Sequence, residues 1–149
     1  FYLDGRDDRR ICYRDSRTPN ASLTLLFVHG VASSKGTWQF IAPEFEPDHR
    51  VILIDLLGHG DSSKPARHEY SMGAQGDLVR KFILEKDLQN VVVVGCSYGG
   101  GATLEAVLPL FRSGHTGRIR GLVLIGAAAL DFPPPHKYAL VKCPFLRAL

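Results

Sequence analysis

The sequence predicts an α/β fold built on a doubly wound, mostly parallel sheet, and three observations carry that prediction. Four short runs, residues 23–28, 51–55, 91–94 and 119–125, are predominantly apolar, as strands buried on both faces are. Helix-compatible stretches separate them, so strand and helix alternate and build βαβ units with parallel strands. The third run leads through Gly95-Cys96-Ser97-Tyr98-Gly99-Gly100-Gly101 directly into Ala102-Thr103-Leu104-Glu105-Ala106-Val107-Leu108, a tight strand-to-helix turn.

In chain order, residues 1–20 are rich in charge (Asp4, Arg6, Asp7, Asp8, Arg9, Arg10), with a short strand expected over 10–13 and a turn at Thr18-Pro19-Asn20. Strand 23–28 ends in His29-Gly30-Val31-Ala32. A polar turn follows, then a helix expected from about 36 to 45 that carries Trp38, Phe40 and Ile41 and closes before Pro47. Strand 51–55 runs into Leu56-Leu57-Gly58-His59-Gly60-Asp61-Ser62-Ser63-Lys64-Pro65. Residues 75–88 show helical spacing, with Leu78, Val79, Phe82 and Ile83 on one face and Asp77, Arg80, Lys81 and Glu85 elsewhere. The helix after Ser97 is expected to reach about Arg112, and a loop through 113–117 enters the buried strand 119–125. Beyond a loop at 126–131, Pro133-Pro134-Pro135 breaks regular structure. Sites in sheets of this kind lie at the C-terminal strand ends, where His29, Asp55 and Ser97 all fall.

At 149 residues the chain suits one domain with a real core. A net charge of +3 carried on scattered basic residues gives no reason to expect nucleic acid or a membrane surface as partner. No apolar run approaches a membrane span and no signal-peptide pattern opens the chain. Cys12, Cys96 and Cys143, odd in number and far apart, fit reduced thiols in a cytoplasmic setting. The chain begins at Phe1, has Met72 as its only methionine and stops at Leu149 without a closing element, so a fragment is expected.

The chemistry centres on Ser97. A Gly-x-Ser-x-Gly turn between strand and helix is the nucleophile elbow, which holds a serine in strained backbone geometry above the sheet. Gly95 and Gly99 flank it because a Cβ at either place would strike the crossing strand and helix. The N–H of Tyr98 opens the helix beside it, where partial positive charge favours an oxyanion. The competing reading is a serine that merely caps the helix. A dinucleotide site is excluded because it needs glycine at position 97, and a phosphate loop because Lys35-Gly36-Thr37 places lysine before the glycine.

With His29-Gly30, Trp38, Asp55-Leu56-Leu57-Gly58-His59-Gly60-Asp61-Ser62 and Gly95-Cys96-Ser97-Tyr98-Gly99-Gly100 in this order, the chain resembles the α/β-hydrolase fold superfamily over most of residues 20–130. The resemblance implies Ser97 as nucleophile and the backbone N–H groups of Val31 and Tyr98 as oxyanion donors. It implies supporting roles for His29, Gly30, Gly95 and Gly99, and makes His59 and Asp61 residues that hydrogen-bond within their own loop. The triad order Ser, acid, His places the acid and the histidine beyond the chain end. His115 enters a strand on the wrong rim, His136 lies in what resembles the start of a cap, and Asp131 follows the next strand several residues late. Residues 1–131 are therefore expected to be the N-terminal part of the core domain and 132–149 the start of a cap or lid insertion. Serine in place of aspartate argues against epoxide hydrolase and haloalkane dehalogenase chemistry. The implied function is hydrolysis of an ester-like bond (ester, thioester or carbon–carbon) in a small, fairly apolar substrate, without cofactor or metal, the chain alone being inactive. The alternative is a hydrolase-like protein that binds a ligand without turnover.

Overall fold

Residues 9–66, 70–114 and 116–128 are described by the computed structural model. Asp131, His115, His136 and the expected cap segment 132–149 lie outside them.

The apolar runs become the centre of a five-stranded sheet. The strands are β1 (Tyr13–Asp15), β2 (Thr24–Val28), β3 (Arg50–Ile54), β4 (Val91–Cys96) and β5 (Ile119–Ile125), in the order β1-β3-β2-β4-β5. Only β1 is antiparallel; the other pairings are parallel, as βαβ connections require. Val28 pairs with Ile54 on one side and with Gly95 on the other. Strands β2, β3 and β4 therefore end level, and the residues that follow them emerge on one rim.

Around β2, β3 and β4 both faces of the sheet are apolar because both are covered. On one face Leu26, Val28, Ile52, Ile54, Val91 and Val93 pack with Leu78, Val79, Phe82 and Ile83 of α1 (Met72–Glu85) and with Ala106, Val107 and Leu110 of α2 (Tyr98–Arg112). On the other, Leu25, Phe27, Val51, Leu53 and Val94 pack with Trp38 and Ala42, and the Phe27 and Trp38 rings lie 5.0 Å apart.

Helix α1 starts three residues before its apolar spacing does, because the Ser71 hydroxyl accepts the Ala74 N–H at 3.2 Å and caps it. It stops at Glu85 because Asp87 turns left-handed, with φ of 46°. Leu88, which extends the helical spacing in the sequence, is buried from the loop instead. The first strand sits at 13–15 rather than 10–13, in antiparallel register with Ile54.

Two other expectations need correction. Residues 36–45 form no α-helix but two 3₁₀ turns, Lys35–Trp38 and Ala42–Glu44. Pro43 has no N–H for a helical bond to Gln39 and disfavours helical backbone at Ala42. Trp38 alone of the three large apolar residues is buried, and Phe40 is 84% exposed. Strand β5 is where the sequence places it but is not buried along its length. Val123, Leu124 and Ile125 stay more than two-fifths exposed, since among the described residues β5 pairs with β4 alone.

Candidate functional site

Strand β4 ends at Cys96 and α2 begins at Tyr98, so Ser97 alone makes the turn, at φ 51° and ψ −121°. A non-glycine residue in that region is strained and persists only where its surroundings hold it. They do so through main-chain bonds: the Ser97 N–H donates to Ile125 O at 2.9 Å, and Ser97 O accepts from Gly100 and Ala128 at 2.9 Å each. The flanking glycines are sites of contact. A Cβ on Gly95 would lie 2.7 Å from Gly100 Cα and 2.8 Å from Gly99 O, inside the helix. One on Gly99 would meet the His29 carbonyl and lie 2.7 Å from Val28 O, at the end of β2. Ser97 holds the N-cap position, yet its hydroxyl makes no capping bond. The Ser97 hydroxyl therefore does not cap the helix.

The loop after β2 passes directly over this turn. A Cβ on Gly30 would stand 3.2 Å from Ser97 Cβ and 3.8 Å from Ser97 Oγ. His29 is fully buried, and both ring nitrogens are engaged. Nε2 accepts the Leu56 N–H at 3.0 Å, which fixes the proton on Nδ1, and Nδ1–H donates to Gly30 O at 2.7 Å. Burial lowers the His29 pKa and keeps the ring neutral, as these two bonds require. The Gly30 carbonyl belongs to the same peptide unit as the Val31 N–H, so the histidine orients both. Neither the Val31 nor the Tyr98 N–H donates to another described residue. The Tyr98 hydroxyl donates to the Tyr70 carbonyl and ties the elbow to the segment before α1.

A charged cluster lies beside this loop. Asp55, fully buried after β3, accepts the Lys35 N–H on Oδ1 at 2.6 Å, and on Oδ2 the Lys35 ammonium at 2.6 Å and the Asp61 N–H at 2.9 Å. The same ammonium reaches Asp61 Oδ2 at 2.6 Å. Burial alone would raise the Asp55 carboxyl, but these donors outweigh it and hold the pKa below the usual carboxylate value. Burial likewise disfavours the Lys35 ammonium, and the two carboxylates overcome it and raise its pKa. Cys12, Asp55 and Asp61 bring a thiol and two carboxylates within 4.8 Å of one another, a set of ligand types that can hold a cation. The Lys35 ammonium, in contact with both carboxylates, fills that role here.

The structure thus gathers His29, Gly30, Val31, Gly95, Ser97, Tyr98 and Gly99 on one rim. His59 turns its Nδ1 to the Leu57 carbonyl at 3.1 Å, within its own loop, whereas the Asp61 side chain reaches out of that loop to Lys35. Lys35 enters the sequence reading only as a failed phosphate-loop lysine. Its pairing with Asp55 spans 20 positions and becomes visible once β2 and β3 are aligned.

The sequence model of the alpha/beta hydrolase fold matches residues 24–142. The chain belongs to the alpha/beta hydrolase fold family. It is 31% identical over 116 residues to the 2-hydroxymuconate semialdehyde hydrolase of Pseudomonas sp. strain CF600, an alignment covering 76% of this chain and 39% of that protein. An alpha/beta hydrolase fold protein from Burkholderia ambifaria superposes with a TM-score of 0.75 at 28% identity, over 99% of this chain and 47% of that one. The esterase EaEST from Exiguobacterium antarcticum does so with a TM-score of 0.72 at 26% identity, over 87% and 46%. The chain therefore spans less than half the length of each of these proteins. Among the described residues of this alpha/beta hydrolase fold chain, no helix is long and apolar enough to cross a membrane.

Proposed function

We propose that Ser97 is the nucleophile of a hydrolase that cleaves an ester-like bond, whether ester, thioester or carbon–carbon, in a small and fairly apolar substrate, without a cofactor. The observation that carries this reading is the Ser97 turn itself: a strained serine whose hydroxyl declines the capping bond, beside two main-chain N–H groups with no described acceptor. That two of the similar proteins are named an esterase and a semialdehyde hydrolase supports hydrolysis as the reaction class.

In this reading a base takes the Ser97 Oγ proton as Oγ bonds to the substrate carbonyl carbon. The carbonyl oxygen becomes an oxyanion held by the Val31 and Tyr98 N–H groups, the latter at the positive end of α2. Collapse expels the leaving group with the proton from the base, and water, deprotonated by the same base, releases the acyl group and restores Ser97. We assign the base and its orienting carboxylate to positions outside the described residues. Of the described histidines, His29 has both nitrogens engaged, His59 faces its own loop, and His49 precedes β3 at the opposite rim. The compartment consistent with free Cys12 and Cys96 thiols is the cytoplasm.

The test is turnover of a small activated ester by the complete protein that carries this chain. Ser97→Ala should abolish turnover while leaving the unfolding midpoint in place. Undiminished turnover in that variant would remove the nucleophile assignment, and no turnover in either protein would favour a ligand-binding role.

A further inference from the structure

We propose that Lys35 is a positioning residue for the oxyanion loop, acting through Asp55 to set the Val31 N–H against Ser97. This rests on the Ser97 reading above and extends it to a side chain whose contacts are with Asp55 and Asp61.

The loop from His29 to Lys35 is pinned at its two ends, both times to the segment leaving β3. At the near end His29 Nε2 accepts the Leu56 N–H. At the far end Lys35 binds the Asp55 carboxylate twice, through its main-chain N–H and its ammonium, at 2.6 Å each. Between the pins lie Gly30, against Ser97, and Ala32, held at φ of 53°. An alanine in the left-handed region is strained and relaxes unless the ends of its loop are fixed. The Asp55 end is built to be rigid. Gly60, at φ of 49°, closes over the carboxylate where any Cβ would collide with it, and the Asp61 N–H completes the oxygen's bonds.

Removing the ammonium has consequences for the loop. It leaves a fully buried carboxylate with two N–H donors and no countercharge, next to the Asp61 carboxylate. A buried charge so stranded either takes up a proton or turns towards water. In both cases the Asp55 Oδ1 bond to the Lys35 N–H weakens and the far pin of the oxyanion loop is released. The effect falls on the transition state, because the Val31 N–H is aimed at charge that develops only there.

The experiment uses the complete protein, with Lys35→Met, Lys35→Arg and Asp61→Asn compared with wild type on a small activated ester. A trifluoromethyl ketone serves as inhibitor, since its carbonyl adds Ser97 Oγ and leaves an oxyanion. Lys35→Met should lower kcat by roughly 10- to 100-fold, below the ~10²–10³ of losing a donor outright, with KM within about twofold. The ketone's inhibition constant should rise by the same factor as kcat falls. Lys35→Arg, which keeps the charge, should recover part of both. Asp61→Asn, changed at an exposed partner, should lose only a few-fold. A drop in kcat with the inhibition constant unchanged would mean only that less enzyme is folded, and would overturn the proposal, as would an unchanged kcat. If Lys35→Met does not fold, the parallel shift in Lys35→Arg and Asp61→Asn decides the matter by the same criterion. Wild-type turnover persisting in Ser97→Ala would instead remove the nucleophile reading beneath it.

Discussion

Gly30 runs so close to Ser97 that a methyl group on it would stand 3.2 Å from the serine Cβ. The approach is tight without being forbidden, so the loop must give by a few tenths of an ångström. Gly30→Ala is therefore expected to lower ester turnover by about tenfold, because small misplacements at a reacting centre are costly. The stability loss should stay near 1 kcal/mol, the low end for overpacking. Steady-state kinetics and a urea titration on the same preparation separate the two effects.

Gly99 differs in kind. Its absent Cβ faces the backbone carbonyls of Val28 and His29, which cannot swing aside as a side chain does. Gly99→Ala should destabilise the fold by about 3 kcal/mol or prevent folding, the upper range for overpacking. A urea midpoint equal to wild type would show that β2 and α2 are not in contact at this point.

The Val31 N–H separates main-chain from side-chain function. Val31→Ala keeps the donor and removes a side chain that is 55% exposed, so its effect on turnover should be slight. Val31→Pro deletes the donor and should lower kcat by on the order of 10²–10³. Equal rates for the two variants would take Val31 out of the oxyanion hole.

Both halves of the strand-and-turn framework were legible in the sequence, for physical reasons that also mark where legibility ends. Strands β2, β3 and β4 are apolar on both faces because both faces are covered, and the glycines around Ser97 are needed wherever a strand and helix cross that tightly. The second half of strand β5, residues 122–125, is as apolar, yet Val123 and Ile125 are half-exposed. Apolar sequence reports a capacity for burial and not the neighbour that fulfils it. Trp38, Phe40 and Ile41 suggested a helix by clustering, and Pro43 divides the segment into two short turns. The Lys35–Asp55–Asp61 cluster was out of reach, because its members are 20 and 26 positions apart and only the sheet register brings them together.

His29 gives the fold a pH dependence whose sign follows from its bonds. An unfolded histidine takes up a proton near pH 6.5, whereas burial holds the native ring neutral to lower pH. Between those two values the unfolded chain carries the extra proton. Stability is fully present above about pH 6.5 and is lost as pH falls from there towards the native pKa. Asp15 and Asp55, with pKa values held below the ordinary 3.8, act in the same direction at lower pH. His29→Gln should be less stable at pH 7.5 and show a flatter fall between pH 7 and 5, measured as the urea midpoint at about half-unit steps. Identical slopes in the two proteins would contradict the neutral, doubly bonded ring.

The most direct measurement is covalent capture of the serine. The complete protein is treated with a fluorophosphonate and the modified residue mapped by peptide mass spectrometry. One adduct per chain on Ser97 is expected, with loss of ester turnover in proportion to labelling and no adduct in Ser97→Ala. Ester turnover that persists while Ser97 is fully labelled, or a protein that turns over ester without labelling at Ser97, would contradict the central claim that this strained residue is the nucleophile.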